Sequence, residues 1–220
     1  MDTEKNISLA VIRRLPKYYR YLGDLLDQGI TRISSKELSN RINATASQIR
    51  QDLNNFGCFG QQGYGYNVEF LYNEIKKILG LDQQHAVIII GAGKIGGALV
   101  NYETFSRRGF QFAAMFDVND ELIGKKINGV QVFHISGLPT YLKKNKTDIA
   151  VLCMPQEAAQ DVCDTVTAGG VKAVWNFTPV DLKLRDGVVV ENVHLTDSLM
   201  TLSYRLNEGN ILENYRRKKE

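Results

Sequence analysis

The sequence predicts an α/β chain in two parts, a small helical domain carrying a hairpin and, behind it, a doubly wound parallel sheet. Three observations carry that prediction. From His85 to Val193 apolar runs alternate with helical patterns, the order of strands and crossovers that builds a parallel sheet. The first of those runs ends directly in a glycine-rich turn, Gly91 to Gly97. Ahead of residue 80 the pattern changes to short capped helical segments followed by a glycine- and aromatic-rich stretch.

Composition bounds the answer. The 220 residues are 44% hydrophobic and 23% charged, as in globular proteins, and suffice for one large domain or two modest ones. No apolar run reaches membrane-spanning length, and the opening Met1-Asp-Thr-Glu-Lys lacks the layout of a secretory signal, so the expected location is cytoplasmic, with no membrane partner. Cys58, Cys153 and Cys163 have neither an even count nor close spacing, and packed thiols are expected, with no metal. No base stands near Cys58 in sequence, so it too reads as inert. The net charge is only +3, yet residues 11 to 50 hold eight Lys or Arg against three Asp or Glu, whereas residues 80 to 206 hold twelve against thirteen. A basic front is the footprint of a module that contacts phosphates.

Leu9 to Gln28 reads as an amphipathic helix with Val11, Ile12, Leu15, Tyr19, Leu22 and Leu26 on its apolar side, stopped by Gly29. Pro16 falls inside it, so the helix proper is expected to begin there, after a separate turn. Ser34-Ser-Lys-Glu37 is a capping box opening a short helix through Ile42. Asn43-Ala44 makes a tight break, and Thr45-Ala-Ser-Gln48 is a second box opening a helix over Ala46 to Phe56. Two short capped helices joined by a tight turn form a helix-turn-helix. In the second, Ile49, Leu53 and Phe56 face the core, and the opposite stripe is Ser47, Arg50, Gln51 and Asn54. Arg pairs with guanine edges, Gln and Asn with adenine, Ser with phosphate or base, so this stripe suits a reading helix in a major groove. Gln48 beside it, and Arg13 and Lys17 from the basic front, join the candidate DNA contacts.

Phe56 to Val68 reads as two short strands around Gln61-Gln62-Gly63, with Phe59, Tyr64 and Tyr66 packing them. A hairpin directly after a reading helix is a wing, and its tip, Gln62, Gly63 and Tyr64, can reach a minor groove or the phosphate backbone. A helix from Val68 to Leu79 follows, closed by Gly80, and residues 80 to 84 are the expected boundary.

Val87 to Ile90, the glycines and the helix after them make the strand, turn and helix of a dinucleotide-binding, or Rossmann, unit. Gly91 allows the tight turn, Gly93 lets the backbone approach a pyrophosphate, and Gly96 lets the helix pack on the strand. The phosphates then sit over Gly91, Ala92, Gly93, Lys94, Ile95 and Gly96, at the start of the helix. Glycines also mark ordinary loops, so the second half of the fingerprint decides. The run Phe112 to Phe116 ends in Asp117, about 20 residues past the last glycine, where an acidic residue meets the ribose hydroxyls. A carboxylate there repels a 2′-phosphate, which favours NADH or NAD⁺ over the phosphorylated forms.

The alternation continues through strands at Val130–Phe133, Asp148–Cys153, Val171–Phe177 and Val188–Val193, with helices at Gly137–Lys144 and Gln156–Ala168. Six strands with crossovers imply a doubly wound sheet, whose ligand lies across the carboxyl ends. Topology alone therefore places Cys153-Met154-Pro155 and Asn176-Phe177-Thr178-Pro179 along the site. Leu195, Leu199, Leu202 and Leu206 form a narrow stripe on a last helix, fit to cap its own sheet or meet a partner subunit. The expected division is a winged helix-turn-helix domain over 1–80, a Rossmann domain over 81–193, a dimerisation helix over 194–210 and a basic tail over 211–220, its Arg216-Arg-Lys-Lys solvated.

With these residues assembled, the chain resembles the Rex family of redox-sensing repressors across essentially its full length. The likeness rests on Arg14-Leu-Pro-Lys-Tyr-Tyr-Arg20, Arg32-Ile-Ser-Ser-Lys-Glu-Leu38, Gln48-Ile-Arg-Gln-Asp-Leu53, Phe56-Gly-Cys-Phe-Gly60, Gly63-Tyr-Gly-Tyr66, the Gly91–Gly96 loop, Asn176-Phe-Thr-Pro179 and Leu202-Ser-Tyr204. The resemblance implies a homodimer on palindromic, double-stranded operator DNA, released by NADH and controlling fermentation and respiration genes. It further implies a last helix swapped between subunits, a nucleotide domain similar to CoA-binding domains, and Tyr102 and Phe177 near the nicotinamide. Two positions depart from the family pattern. Gln51 stands where many relatives carry a basic residue, and His194 where Asp is common.

Two other readings compete. An NAD-dependent dehydrogenase with an accessory front domain needs a proton donor beside the nicotinamide. His85 lies at the wrong end of the sheet, His194 beside the last helix, and only His134 follows a strand's carboxyl end, without an evident acidic partner. A CoA-binding regulator shares the glycine loop, but Asp117 disfavours a ribose phosphate.

Overall fold

The structure, a computed structural model, describes residues 7–57, 59–61 and 64–217, with the side chains of all but Gln61 and residues 209–217. The chain folds as two units, one running to Gln83 and the other from Gln84.

In the first unit α1 (Leu9–Ile12) is the separate turn and α2 (Leu15–Asp27) starts with Pro16 in its first turn, where its missing N–H costs nothing. Leu15, Tyr18, Tyr19, Leu22 and Leu25 are buried. Gly29, at φ +72, ends the helix, and Ile30 N–H reaches back to Leu25 O at 2.9 Å, a left-handed glycine cap. A short strand β1 (Arg32–Ile33) precedes α3 (Ser35–Ile42), whose capping box is present in full, Ser34 Oγ accepting from Glu37 N–H while Glu37 accepts from Ser34 N–H. Asn43 takes the left-handed conformation at φ +47, and α4 (Ala46–Asn54) follows, capped by Thr45, whose hydroxyl accepts from Gln48 N–H. The helix ends two residues short of the expected Phe56, which turns in against the core.

The hairpin is β2 (Gly60–Gln61) against β3 (Gly65–Asn67), and β3 also pairs with β1, all antiparallel. Its tip residues Gln62 and Gly63, like Cys58, lie outside the described residues. Tyr66 is buried and Phe59 half-buried against the core, as expected. Tyr64 is instead 70% exposed: it precedes β3, and Gly65, at φ +71, breaks the strand alternation that would put it on the same face as Tyr66. Helix α5 (Val68–Ile78), capped by Asn67 and closed by Gly80, stacks on α2 through the parallel rings of Tyr19 and Tyr72, 4.4 Å apart.

The second unit alternates as expected: β4 (His85–Ile90), α6 (Lys94–Val100), α7 (Thr104–Arg107), β5 (Phe110–Asp117), β6 (Lys126–Ile127), β7 (Val130–His134), α8 (Leu138–Lys144), β8 (Ile149–Leu152), α9 (Ala159–Ala168), β9 (Ala173–Asn176), β10 (Val189–Asn192) and α10 (Leu195–Arg217). Across the sheet the order is β10-β9-β8-β4-β5-β7-β6, with β4, β5, β7, β8, β9 and β10 mutually parallel. Counted from β4, the parallel strands lie 3-2-1-4-5-6, the doubly wound order whose switch point falls between the first and fourth strands, here β4 and β8. Ile88, Ile89, Phe116, Val151 and Leu152 are wholly buried, as in strands covered on both faces.

Three elements differ from expectation, the first being the four-residue helix α7, which the sequence reading did not include. A seventh strand, β6, pairs antiparallel with β7 through a two-residue turn, Asn128 at φ +45 and Gly129 at φ +81. Asn-Gly between two strands is the signature of that turn. The last helix does not stop near residue 210 but continues to Arg217, through most of the stretch expected as a tail. Among the described residues no helix is long and apolar enough to cross a membrane.

Candidate functional site

The first unit leaves the predicted polar stripe of α4 exposed. Ile49 and Leu53 are buried, and Ser47, Gln48, Arg50, Gln51 and Asn54 are all exposed on the other side of α4. Arg50 Nη1 donates to Ser35 Oγ at 2.9 Å, which ties the stripe to the start of α3. Arg13 and Lys17 are exposed at the junction of α1 and α2.

What holds α4 at its angle was missed in the sequence. Asp52 is only 2% exposed, and it receives Arg14 Nε at 2.6 Å, Arg14 Nη2 at 2.7 Å and the Tyr18 hydroxyl at 2.5 Å. A buried carboxylate is tolerated only when paired and bonded. Here three donors from α2 and the residue before it satisfy both oxygens, and α4 is fixed to α2. Burial, reinforced by the bond to Asp52, pushes the Tyr18 phenol well above its ordinary range, so it stays a donor. The signal was available: Ile49, Asp52, Leu53 and Phe56 stand at i, i+3, i+4 and i+7, so Asp52 belongs to the core face.

In the second unit the glycine loop joins β4 to α6, with Gly91 and Gly96 placed as the tight turn and the helix packing require. Gly91 has φ +100, and a Cβ on it would run into the carbonyl oxygen of Cys153, the residue after the strand across the switch point. A Cβ on Gly96 would strike Gly91 O and approach Ile89 Cγ2 at 3.0 Å. Around Gly93 there is open space, and Gly93, Lys94 and Ile95 are exposed. The loop backbone is therefore tight behind and open in front, which fits a pyrophosphate laid against it.

Asp117, the last residue of β5, lies beside that loop. Its Oδ2 accepts from Ala92 N–H at 2.6 Å, and Oδ1 from Val118 and Asn119 N–H at 2.8 and 2.9 Å. The carboxylate thus braces the loop, and one lone pair, on Oδ2, remains for a hydroxyl donor. Met154 is half-buried and Pro155 exposed after β8. Cys153 is half-buried, and burial pushes its thiol up to about 12.

Asn176 is placed differently from expectation. Its side chain is wholly buried, with Nδ2 donating to Val180 O and Asn192 Oδ1 and Oδ1 accepting from Thr178 N–H and Oγ. An amide with both donors and both lone pairs committed has nothing left for a ligand. It instead shapes the turn carrying Phe177. From Phe177 a chain of ring contacts runs to Trp175 (4.7 Å between centroids), Phe105 (5.6 Å) and Tyr102 (5.4 Å). Tyr102, 60% exposed, and Phe177 are therefore two ends of one aromatic ridge.

His134, at the carboxyl end of β7, caps the 3-10 turn Ile135–Gly137, its Nδ1 accepting from Ser136 N–H and lying 2.7 Å from Ser136 Oγ. That is a structural role. On α10, Leu195, Leu199, Leu202 and Leu206 are between 53% and 77% exposed.

Comparison with known proteins covers both units. The family of the putative DNA-binding protein N-terminus matches residues 6–54, and the CoA binding domain family matches residues 82–180. A redox-sensing transcriptional repressor Rex from Clostridium novyi (strain NT) is 58% identical over 96% of this chain and 100% of its own. The crystal structure of RSP in complex with β-NAD⁺ and operator DNA superposes with a TM-score of 0.92 at 52% identity, covering 99% of this chain and 100% of that one. The crystal structure of RSP with β-NADH gives 0.88 at 50% identity, covering 96% and 100%.

Proposed function

The chain belongs to the Rex family of redox-sensing transcriptional repressors, and on that premise we propose how its own residues carry out the task. The observation that carries the reading is the pairing, in one chain, of an exposed Ser47–Arg50–Gln51–Asn54 stripe with a glycine loop braced by Asp117. One reads a duplex and the other holds NADH or NAD⁺. Similar proteins have been crystallised with β-NADH and with β-NAD⁺ plus operator DNA, which supports both partners.

The recognition helix α4 enters the major groove, with Arg50, Gln51 and Asn54 toward base edges and Ser47, Gln48, Arg13 and Lys17 toward the backbone. The wing tip, Gln62, Gly63 and Tyr64, follows the backbone or minor groove. In the second unit, the backbone from Gly91 to Gly96 with Lys94 and Ile95 receives the pyrophosphate, Asp117 the ribose, and Met154, Pro155, Phe177 and Tyr102 the nicotinamide end. The nicotinamide ring, cationic when oxidised and neutral when reduced, supplies the signal. The exposed leucine stripe of α10 is covered by a second copy of the chain, so two recognition helices face successive turns of a palindrome. The protein acts in the cytoplasm, where the nucleotide pool and the operators are.

Neither rival explains as much. The relatives bear the name of repressors, and His134, the one histidine placed for proton transfer, serves as a cap.

For release to work, the two subunit arrangements must differ in affinity for the reduced nucleotide, or its binding shifts nothing. A 100-fold change in operator affinity corresponds to about 2.7 kcal/mol of coupling, and operator must weaken NADH binding by the same factor. Titrating NADH into the chain with and without its operator measures this. The own-gene promoter is the duplex to use, first in a gel shift with NADH and NAD⁺ added in turn. Equal NADH affinities in the two titrations would remove the switch.

A further inference from the structure

The wing has no cation of its own. Between Arg50 and Lys76 there is no Lys or Arg, although the hairpin β2–β3 lies in that interval. A strand pair that approaches a polyanion needs positive charge. The structure supplies it from the neighbouring strand: the guanidinium carbon of Arg32, on β1, lies 5.9 Å from the centre of the Tyr64 ring.

We infer that Arg32, held over Tyr64, is the group through which the wing meets a DNA phosphate. The inference rests on the operator-binding reading and adds a contact to it. β1 and β3 pair antiparallel, Arg32 opposite Asn67 and Ile33 opposite Tyr66. Gly65 permits this approach, because a Cβ there would come within 2.5 Å of Ile33 O. β1 is thus the third strand of the wing, and both Arg32 and Tyr64 are exposed. A ring face orients a guanidinium without consuming its edge N–H donors, and those donors match a phosphate oxygen pair. The nearest carboxylate on the following helix, Glu37, is committed to its capping box, its Oε2 accepting from Ser34 N–H at 2.8 Å and Ser34 Oγ at 2.7 Å. Tyr64, an exposed aromatic, gains a second role as the rest for Arg32.

The test is operator binding by fluorescence anisotropy over a salt series, with a labelled own-gene promoter duplex and a scrambled duplex of equal length. Arg32→Gln keeps the stem and removes the charge. It is expected to lower the slope of log affinity against log salt by about 0.9 and to weaken both duplexes by the same factor. Arg32→Lys keeps the wild-type slope. Tyr64→Ala weakens binding more in the wild-type background than in Arg32→Gln, since part of the ring's effect runs through the guanidinium. Unchanged melting temperatures show that the variants fold. A wild-type slope for Arg32→Gln overturns the inference, as does a loss confined to the promoter duplex, which would make Arg32 a base reader. If the wild-type chain bound no duplex at all, the operator reading itself would fail; with wild-type binding intact, only the wing contact is at stake.

Discussion

Arg14 and Asp52, 38 residues apart in sequence, meet through two parallel hydrogen bonds of 2.6 and 2.7 Å. One partner precedes α2 and the other lies inside α4, so the pair sets the angle of α4 against α2. Asp52→Asn leaves the shape but removes the charge that Arg14 answers. Arg14 is still 24% exposed and can hydrate, so the expected loss is about 2 kcal/mol, below the full cost of breaking a buried pair. Urea unfolding of the whole chain checks it with two probes. The helical signal of the first unit should shift, while the fluorescence of Trp175, which lies in the second, should not. Operator affinity should fall as well, with NADH affinity unchanged.

The glycine loop makes a sharper prediction, because its three glycines are there for different reasons. Gly96→Ala drives a methyl into Gly91 O and Ile89 and should destabilise the second unit by about 2 kcal/mol. Gly93→Ala meets nothing and should change stability by less than about 0.5 kcal/mol. If the pyrophosphate lies where the loop is open, that silent methyl should still weaken NADH binding at least about tenfold. Isothermal titration beside a thermal melt separates the two effects, and a Gly93→Ala chain that binds NADH normally places the phosphates elsewhere.

These differences mark what a sequence carries. Capping boxes, the Gly29 and Gly80 stops, the glycine loop and Asp117 are local, since each follows from residues a few positions apart. Helix α4 was legible for the same reason. Asp52 was legible in position but not in partner, because periodicity says which face a residue takes and not which side chain across the core will meet it. Asn176 failed differently. Topology brought it to the carboxyl edge of the sheet, and only the arrival of Asn192 and Val180 from β10 and the intervening loop shows its amide consumed. Strand β6 was visible in Asn128-Gly129 but is two residues long, too short to show a period. The extension of α10 to Arg217 runs past its leucine stripe, where no apolar repeat marks it.

Acid should weaken the second unit through Asp148. Its carboxylate accepts from Ala86 N–H at 2.9 Å and lies 3.1 Å from Lys146 Nζ, and these partners, the backbone bond first, hold it below its ordinary range. The unfolded chain then takes up its proton at a higher pH than the folded one. The contribution is complete above the ordinary carboxylate range and disappears as pH falls through the folded value. Denaturation midpoints followed by Trp175 should decline over that acid interval, and Asp148→Asn should flatten the decline.

Thiol chemistry should be quiet at neutral pH in the second unit. The Cys153 thiol, pushed up to about 12 by burial, is almost wholly protonated, and Cys163 is buried and likewise raised. The thiolate is the nucleophile. Iodoacetamide should therefore label neither position in the native chain within the time that labels both in urea, with mass spectrometry of tryptic peptides as the readout. Fast native labelling of Cys153 would show that the carboxyl edge of β8 opens.

Trp175 offers the most direct view of the nucleotide. It is the single tryptophan of the chain, and its ring sits 4.7 Å from that of Phe177, the residue assigned to the nicotinamide end. Dihydronicotinamide absorbs where tryptophan emits, whereas the oxidised ring does not. NADH should therefore quench Trp175 saturably and by a large fraction, and NAD⁺ at equal occupancy should quench it much less. Trp175→Phe keeps an aromatic between Phe105 and Phe177, so it should abolish the signal while leaving calorimetric NADH affinity within about threefold, under 1 kcal/mol. Binding seen by calorimetry without quenching in the wild-type chain would mean that the reduced ring lies away from β9, and Phe177 and Tyr102 would lose their assignment together, because the ridge through Trp175 and Phe105 joins them.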